Sequence, residues 1–83
     1  MYYTYVIFSQ EFKRYYKGHT YDLNKRLNEH NAGLNKSTKA FIPWKIIYSE
    51  SFETLDESIK REKYFKTAAG RKFLKKILAP IKS

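Results

Sequence analysis

Two stretches of this sequence put ionisable groups where apolar side chains would be expected. Leu23, Arg26, Leu27 and His30 follow the i, i+3, i+4, i+7 spacing of one helix face, so a cation and an imidazole border the side that the two leucines turn inward. Leu55, Ile59, Glu62 and Phe65 or Lys66 continue one face of a later helix, which sets a carboxylate beside apolar neighbours. A buried carboxylate without a partner costs several kcal/mol, so Glu62 calls for Arg, Lys or a metal ion. Tyrosine is heavily used: five of the eight fall in the opening segment, at Tyr2, Tyr3, Tyr5, Tyr15 and Tyr16. A phenol beside the Arg26 cation loses its proton more easily than its ordinary pKa near ~10 allows. Each group also has a plain structural reading. Arg26 can snorkel from the core edge, His30 can favour the negative end of its helix, Glu62 can pair with Lys66 one turn on, and strand tyrosines commonly only pack.

The elements that must position these groups can be read from the pattern. Tyr2 to Phe8 and Tyr15 to Gly18 are aromatic and β-branched around a polar stretch, which predicts a hairpin. Thr20 or Asp22 can cap a helix over 22–31, with Gly33 placed to end it near Ala32. Gly33 to Pro43 has turn formers and no periodicity, and reads as a long exposed polar loop. Trp44 to Phe52 is a third strand. Thr54-Leu55-Asp56-Glu57 matches a capping box and opens a helix over 55–66, with Lys60, Arg61 and Lys63 as its solvated flanks. A basic amphipathic helix over 70–78 follows, ended by Pro80. The order ββαβαα predicts an α+β fold, a small three-stranded sheet with one layer of helices packed around Trp44, Ile47, Leu23 and Ile59.

At 83 residues the chain has room for one domain, and 42% hydrophobic residues are enough to fold it. The absence of cysteine excludes a disulfide scaffold and a cysteine-based zinc site, and fits a reducing cytoplasm. The longest apolar run, Tyr5 to Phe8, is far short of the ~20 residues of a membrane span, and the N-terminus lacks a signal-peptide layout. The net charge of +9 is concentrated in residues 59–83, where nine basic groups face the single acid Glu62. That asymmetry suggests a polyanionic partner, nucleic acid before an anionic membrane.

Tyr3-Thr4-Tyr5, ten further residues, Tyr16-Lys17-Gly18, then Arg26 eight after the glycine and His30 four after that, resemble the GIY-YIG nuclease domain. The chain from Tyr2 to about Leu78 is similar to the small stand-alone bacterial branch of the UPF0213 type. Asp22-Leu23, Glu29-His30-Asn31, Lys36-Ser37-Thr38-Lys39, Pro43-Trp44 and Lys60-Arg61-Glu62 are the words expected there. The resemblance implies that Tyr5 and Tyr16 line a cleft where one of them helps deprotonate the attacking water. It also implies that Arg26 stabilises the scissile phosphate, that His30 bonds a tyrosine or relays its proton, and that Glu62 holds one divalent metal. Hydrolysis of a phosphodiester needs such a base, countercharge and leaving-group assistance. One carboxylate with water and phosphate suits Mg2+, and Mn2+ can substitute. Tyr3, Thr4 and Lys17 replace the motif's first glycine and its two middle residues, His19 stands where many relatives carry lysine or an apolar residue, and no late asparagine follows Glu62.

The implied activity is a DNA endonuclease, structure-selective or weakly specific, similar to the nuclease module of the DNA-repair excinuclease. Its DNA would be branched, nicked or damaged, with a protein partner supplying selectivity. Lys17, Gly18, His19, Lys36, Lys39, Arg71, Lys72, Lys75 and Lys76 are the expected nucleic-acid contacts, of a kind that grips the backbone rather than reads bases. A catalytically silent nucleic-acid-binding module accounts for the charge equally well but not for an acid in a phosphate cleft. An RNA nuclease ranks below DNA cleavage.

Overall fold

The computed structural model describes residues 1–78, and the expected stop at Pro80 lies outside the described residues. Strand β1 (Tyr2–Ser9) pairs antiparallel with β2 (Arg14–Thr20) on one side and β3 (Lys45–Phe52) on the other, giving the order β2-β1-β3. Helix α1 (Leu23–Asn31) follows β2, and α2 (Leu55–Phe65) and α3 (Ala68–Ile77) follow β3. The expected α+β class and the order ββαβαα are both present.

β1 is central because its middle is apolar on both faces. Thr4 to Ser9 are all buried, and alternation sends Tyr5 and Ile7 to one side of the sheet and Thr4 and Val6 to the other. The single layer of helices expected from sequence is therefore replaced by cover on both faces. Tyr5, Ile7 and Trp44 form one core, packed by Leu23 and Leu27 of α1 and by Phe41, Ile42 and Ile46. Val6, Phe65, Leu74 and Leu78 form the other, packed by Ile47, Tyr48, Tyr64 and Phe73. Trp44 and Ile47, expected together, are thus parted by the sheet.

The caps fix where the helices begin. Asp22 accepts from Lys25 N at 3.0 Å, and Thr54 and Glu57 close the predicted capping box. α3 starts two residues before the expected Gly70, because Thr67 caps it by accepting from Gly70 N at 3.1 Å. Gly33, at φ +78, takes the left-handed turn that ends α1 and donates to His30 O. The Thr4 hydroxyl donates to Ser58 O at 2.7 Å and ties β1 to α2.

Arg61 departs from its expected place in solvent. Its Nε donates to Glu50 Oε1 at 2.8 Å, and its guanidinium lies 4.8–5.0 Å from the ring centres of Tyr64, Phe65 and Phe73. A flat cation that both pairs and stacks belongs to the core's margin. Among the described residues no helix is long and apolar enough to cross a membrane.

Candidate active site

The site begins with β pairing. Register sets Tyr5 opposite Gly18 and Ile7 opposite Tyr16, so Tyr5 and Tyr16 share the α1 face. Tyr5 lays its ring across Gly18, where a Cβ would stand 2.5 Å from the phenol oxygen. Gly18 is therefore buried beneath Tyr5.

From that position the Tyr5 hydroxyl meets His30 Nε2 at 2.8 Å, and His30 Nδ1 meets Thr38 Oγ1 at 2.8 Å. His30 also stands edge-on to Tyr16, with ring centres 5.2 Å apart. Trp44 Nε1 donates to Thr38 O at 2.9 Å, while Asn31 bonds both the N–H and the C=O of Trp44. The segment between α1 and β3 is thus no free polar loop. Thr38 is fully buried, and Lys39–Phe41 form a 3-10 turn beside it.

His30 is wholly buried rather than an exposed cation at a helix end. Burial, aided by Arg26, pushes its pKa down to about 4, so the imidazole is neutral. The unfolded chain, with a histidine near ~6.5, binds that proton first as pH falls. The contribution is complete above pH ~6.5 and is lost between ~6.5 and ~4, a cost of about 3 kcal/mol. Urea midpoints should therefore drop from pH ~7 to pH ~4, with a flatter profile in His30→Gln. Equal slopes in both proteins would assign the loss to other groups.

Arg26 lies beside Tyr5 and donates from Nη1 to Glu29 Oε1 at 3.0 Å. Burial raises the Tyr5 phenol to about 12, with Arg26 opposing the rise, so Tyr5 carries its proton at rest. Glu62, on the α2 side, is near enough that its charge also acts on Tyr5. Its Oε1 accepts from His19 Nδ1 at 2.5 Å and its Oε2 from Lys66 Nζ at 2.7 Å. Burial alone would raise this carboxyl, but the bonds from Lys66 and His19 hold it below the ordinary value, and it is ionised. Both sequence readings of Glu62 hold in part: it pairs with Lys66, and it is also largely sheltered from solvent.

His19, one of the expected nucleic-acid contacts, is bonded to Glu62 and keeps part of its side chain exposed. Lys36 and Lys39 are exposed on the α1–β3 segment, as are Arg71, Lys72, Lys75 and Lys76 on α3. Lys17 is half-buried on the face opposite Tyr16. Sequence reading gave no role to Thr38, Asn31 or Glu29. Glu29 carries a local signal, the i, i+3 spacing from Arg26, whereas Thr38 and Asn31 act through partners that no periodicity marks.

A family model described as the GIY-YIG catalytic domain matches residues 1–76. The chain belongs to the GIY-YIG family. It is 44% identical over 52 residues to a UPF0213 protein of Streptococcus agalactiae, covering 61% of this chain and 59% of that one. It is 42% identical over 59 residues to the UPF0213 protein YazA of Bacillus subtilis, covering 70% and 60%. A UPF0213 protein of Staphylococcus saprophyticus is 41% identical over 63 residues, covering 75% and 77%. The match thus spans about three fifths of the length of the first two relatives. No solved structure matches. The departures from the GIY-YIG motif have local explanations where Thr4 and Lys17 stand: both side chains leave the Tyr5 face, Thr4 to bond Ser58 and Lys17 to face α3.

Divalent metal is typical of GIY-YIG nucleases. The ionised carboxylate of Glu62 is an oxygen donor of the kind a hard cation takes. Lys66, half-exposed on a flexible stem, is the partner most easily displaced from Glu62.

Proposed function

We propose that residues 1–83 form one metal-dependent DNA endonuclease domain, structure-selective or weakly specific, acting on branched, nicked or damaged DNA. The observation that carries this reading is the line Tyr5–His30–Thr38, set beside Arg26 and within reach of the charge of Glu62. A neutral imidazole whose Nδ1–H donates to Thr38 leaves Nε2 to accept from Tyr5. As water attacks phosphorus, Tyr5 takes its proton and passes its own to His30 Nε2, so no free phenolate is needed. The new bond joins the water oxygen to phosphorus, and the bond to the leaving sugar oxygen breaks, with solvent returning that oxygen's proton. Arg26 faces the growing negative charge on the phosphate. Tyr16 walls the cleft and holds His30 edge-on. Glu62 would hold Mg2+, or Mn2+ in its place, whose positive charge assists the phosphate and the leaving oxygen. Lys36, Lys39, Lys72 and Lys76 are left to grip the DNA backbone, and a partner protein supplies further selectivity.

The test is a nicking assay on supercoiled and branched DNA with Mg2+, Mn2+ or chelator, run beside Arg26→Ala purified identically. Metal-dependent cutting should fall about 100-fold or more in the variant. DNA binding without cutting in the folded wild type would favour the silent binding module, and equal cutting by both proteins would remove Arg26 from the mechanism.

A further inference from the structure

On the face of the sheet away from Tyr5 and His30, β1, β2 and α3 border a half-open cavity of about 230 Å3. Its floor is Val6, Leu74 and Leu78, its rim is Lys17, Arg71 and Lys75, and Tyr15 forms part of the wall. The layout follows from two periodicities. Alternation turns Val6, Tyr15 and Lys17 away from the Tyr5 side, while on α3 Arg71 and Lys75 make one stripe and Leu74 and Leu78 the next.

The charges at this rim are unbalanced. Among the described residues no carboxylate pairs with Lys17, Arg71 or Lys75. Lys17 is half-buried, and its ammonium is pulled below its ordinary value by burial and then by the charges of Arg71 and Lys66. Half-buried Lys17 is repelled by Arg71, and no carboxylate among the described residues offsets that charge, so ion pairing does not account for the arrangement. A bare anion site would not need the apolar floor, and a plain apolar pocket would not need the cations. Together they match a ligand with a flat apolar body and a phosphate. The volume is slightly below the usual range for small-molecule sites, from about 300 Å3 upward, and suits one nucleotide rather than a duplex.

We propose that this cavity binds a single nucleoside monophosphate group, free or as the phosphorylated end of a strand, with the base over Val6, Leu74 and Leu78 and the phosphate among Lys17, Arg71 and Lys75. The site is independent of cleavage, because a chain that never cut could still fill it.

Amide NMR shifts of the full chain, titrated in chelator with a deoxynucleoside monophosphate, its nucleoside and inorganic phosphate, test the assignment. Shifts should centre on Lys17, Arg71 and Lys75, with the monophosphate binding at least about tenfold tighter than either fragment. Arg71→Gln with Lys75→Gln, at exposed positions that tolerate change, should weaken the monophosphate about tenfold or more. Lys17→Met should lose binding and raise the melting temperature, the behaviour of a charge kept for a ligand. A short strand carrying a 5′-phosphate, compared with its 5′-hydroxyl form and the free nucleotide, separates the two sources. Tighter binding of the phosphorylated strand makes a strand end the ligand, and tighter binding of the free nucleotide makes that the ligand. Shifts confined to Tyr5, Arg26 and His30, phosphate binding as tightly as nucleotide, or no shifts at millimolar nucleotide would each overturn the proposal.

Discussion

Glu62→Ala should lower metal-dependent cleavage by about 100-fold or more while leaving the fold nearly as stable as before. The two halves of that expectation rest on different observations. Activity is expected to depend on Glu62 because it is the one carboxylate among the proposed catalytic residues, the donor type a hard cation takes. Stability is not, because its partners His19 and Lys66 are 37% and 53% exposed, and such pairs contribute about 0–1 kcal/mol. Removing a negative charge near the phosphate path should also leave DNA affinity unchanged or tighter. Mn2+ binding followed by electron paramagnetic resonance provides the readout that does not depend on turnover. Lost cleavage together with retained Mn2+ affinity would move the metal elsewhere, and retained cleavage would remove Glu62 from the chemistry.

The second large effect is on folding. Gly70→Ala would place a Cβ 1.9 Å from Tyr64 O, 2.6 Å from Tyr64 C and 2.7 Å from Phe65 Cα, all of them backbone atoms. No rotamer can relieve that contact, so the start of α3 has to lift from the end of α2. Leu74 and Leu78 sit on α3 or at its end and would be drawn away from Val6 and Phe65. A loss of about 3 kcal/mol or more is expected in urea unfolding, at the upper end of what overpacking costs. A change within about 0.5 kcal/mol, the range of ordinary surface substitutions, would show that the junction yields easily.

Local signals accounted for much of the fold. The run Tyr5 to Phe8, the Asp22 cap, Gly33 and the Thr54–Glu57 box each act within a few residues, and each stands where its chemistry directs. Missed features depend on partners distant in sequence. Thr38 is polar and flanked by lysines, which reads as solvent-exposed, yet His30 and Trp44 bury it. Arg61 looks like any cation on a basic helix until Glu50 and three rings surround it. The split core was also written in the sequence, because four consecutive apolar residues in one strand cannot all face the same way. At the site, the GIY-YIG spacing singled out Tyr5, Tyr16, Arg26, His30 and Glu62 together. It carried no sign that Gly18 lies beneath a phenol or that His19 reaches Glu62.

The ring of Tyr5 over Gly18 has a meaning for assembly. A strand slipped by two residues would keep every side chain on its proper face, and the hydrophobic pattern alone tolerates that error. Here the slip would bring Tyr16 or Thr20 opposite Tyr5, and either side chain would fill the space the phenol needs. Gly18 is the one residue of β2 without a side chain, so a single alignment of the hairpin lets Tyr5 lie down and reach His30. Mispaired hairpins are thereby left without their hydrogen-bonded phenol, and a chain that completes the Tyr5–His30 bond has already selected its register.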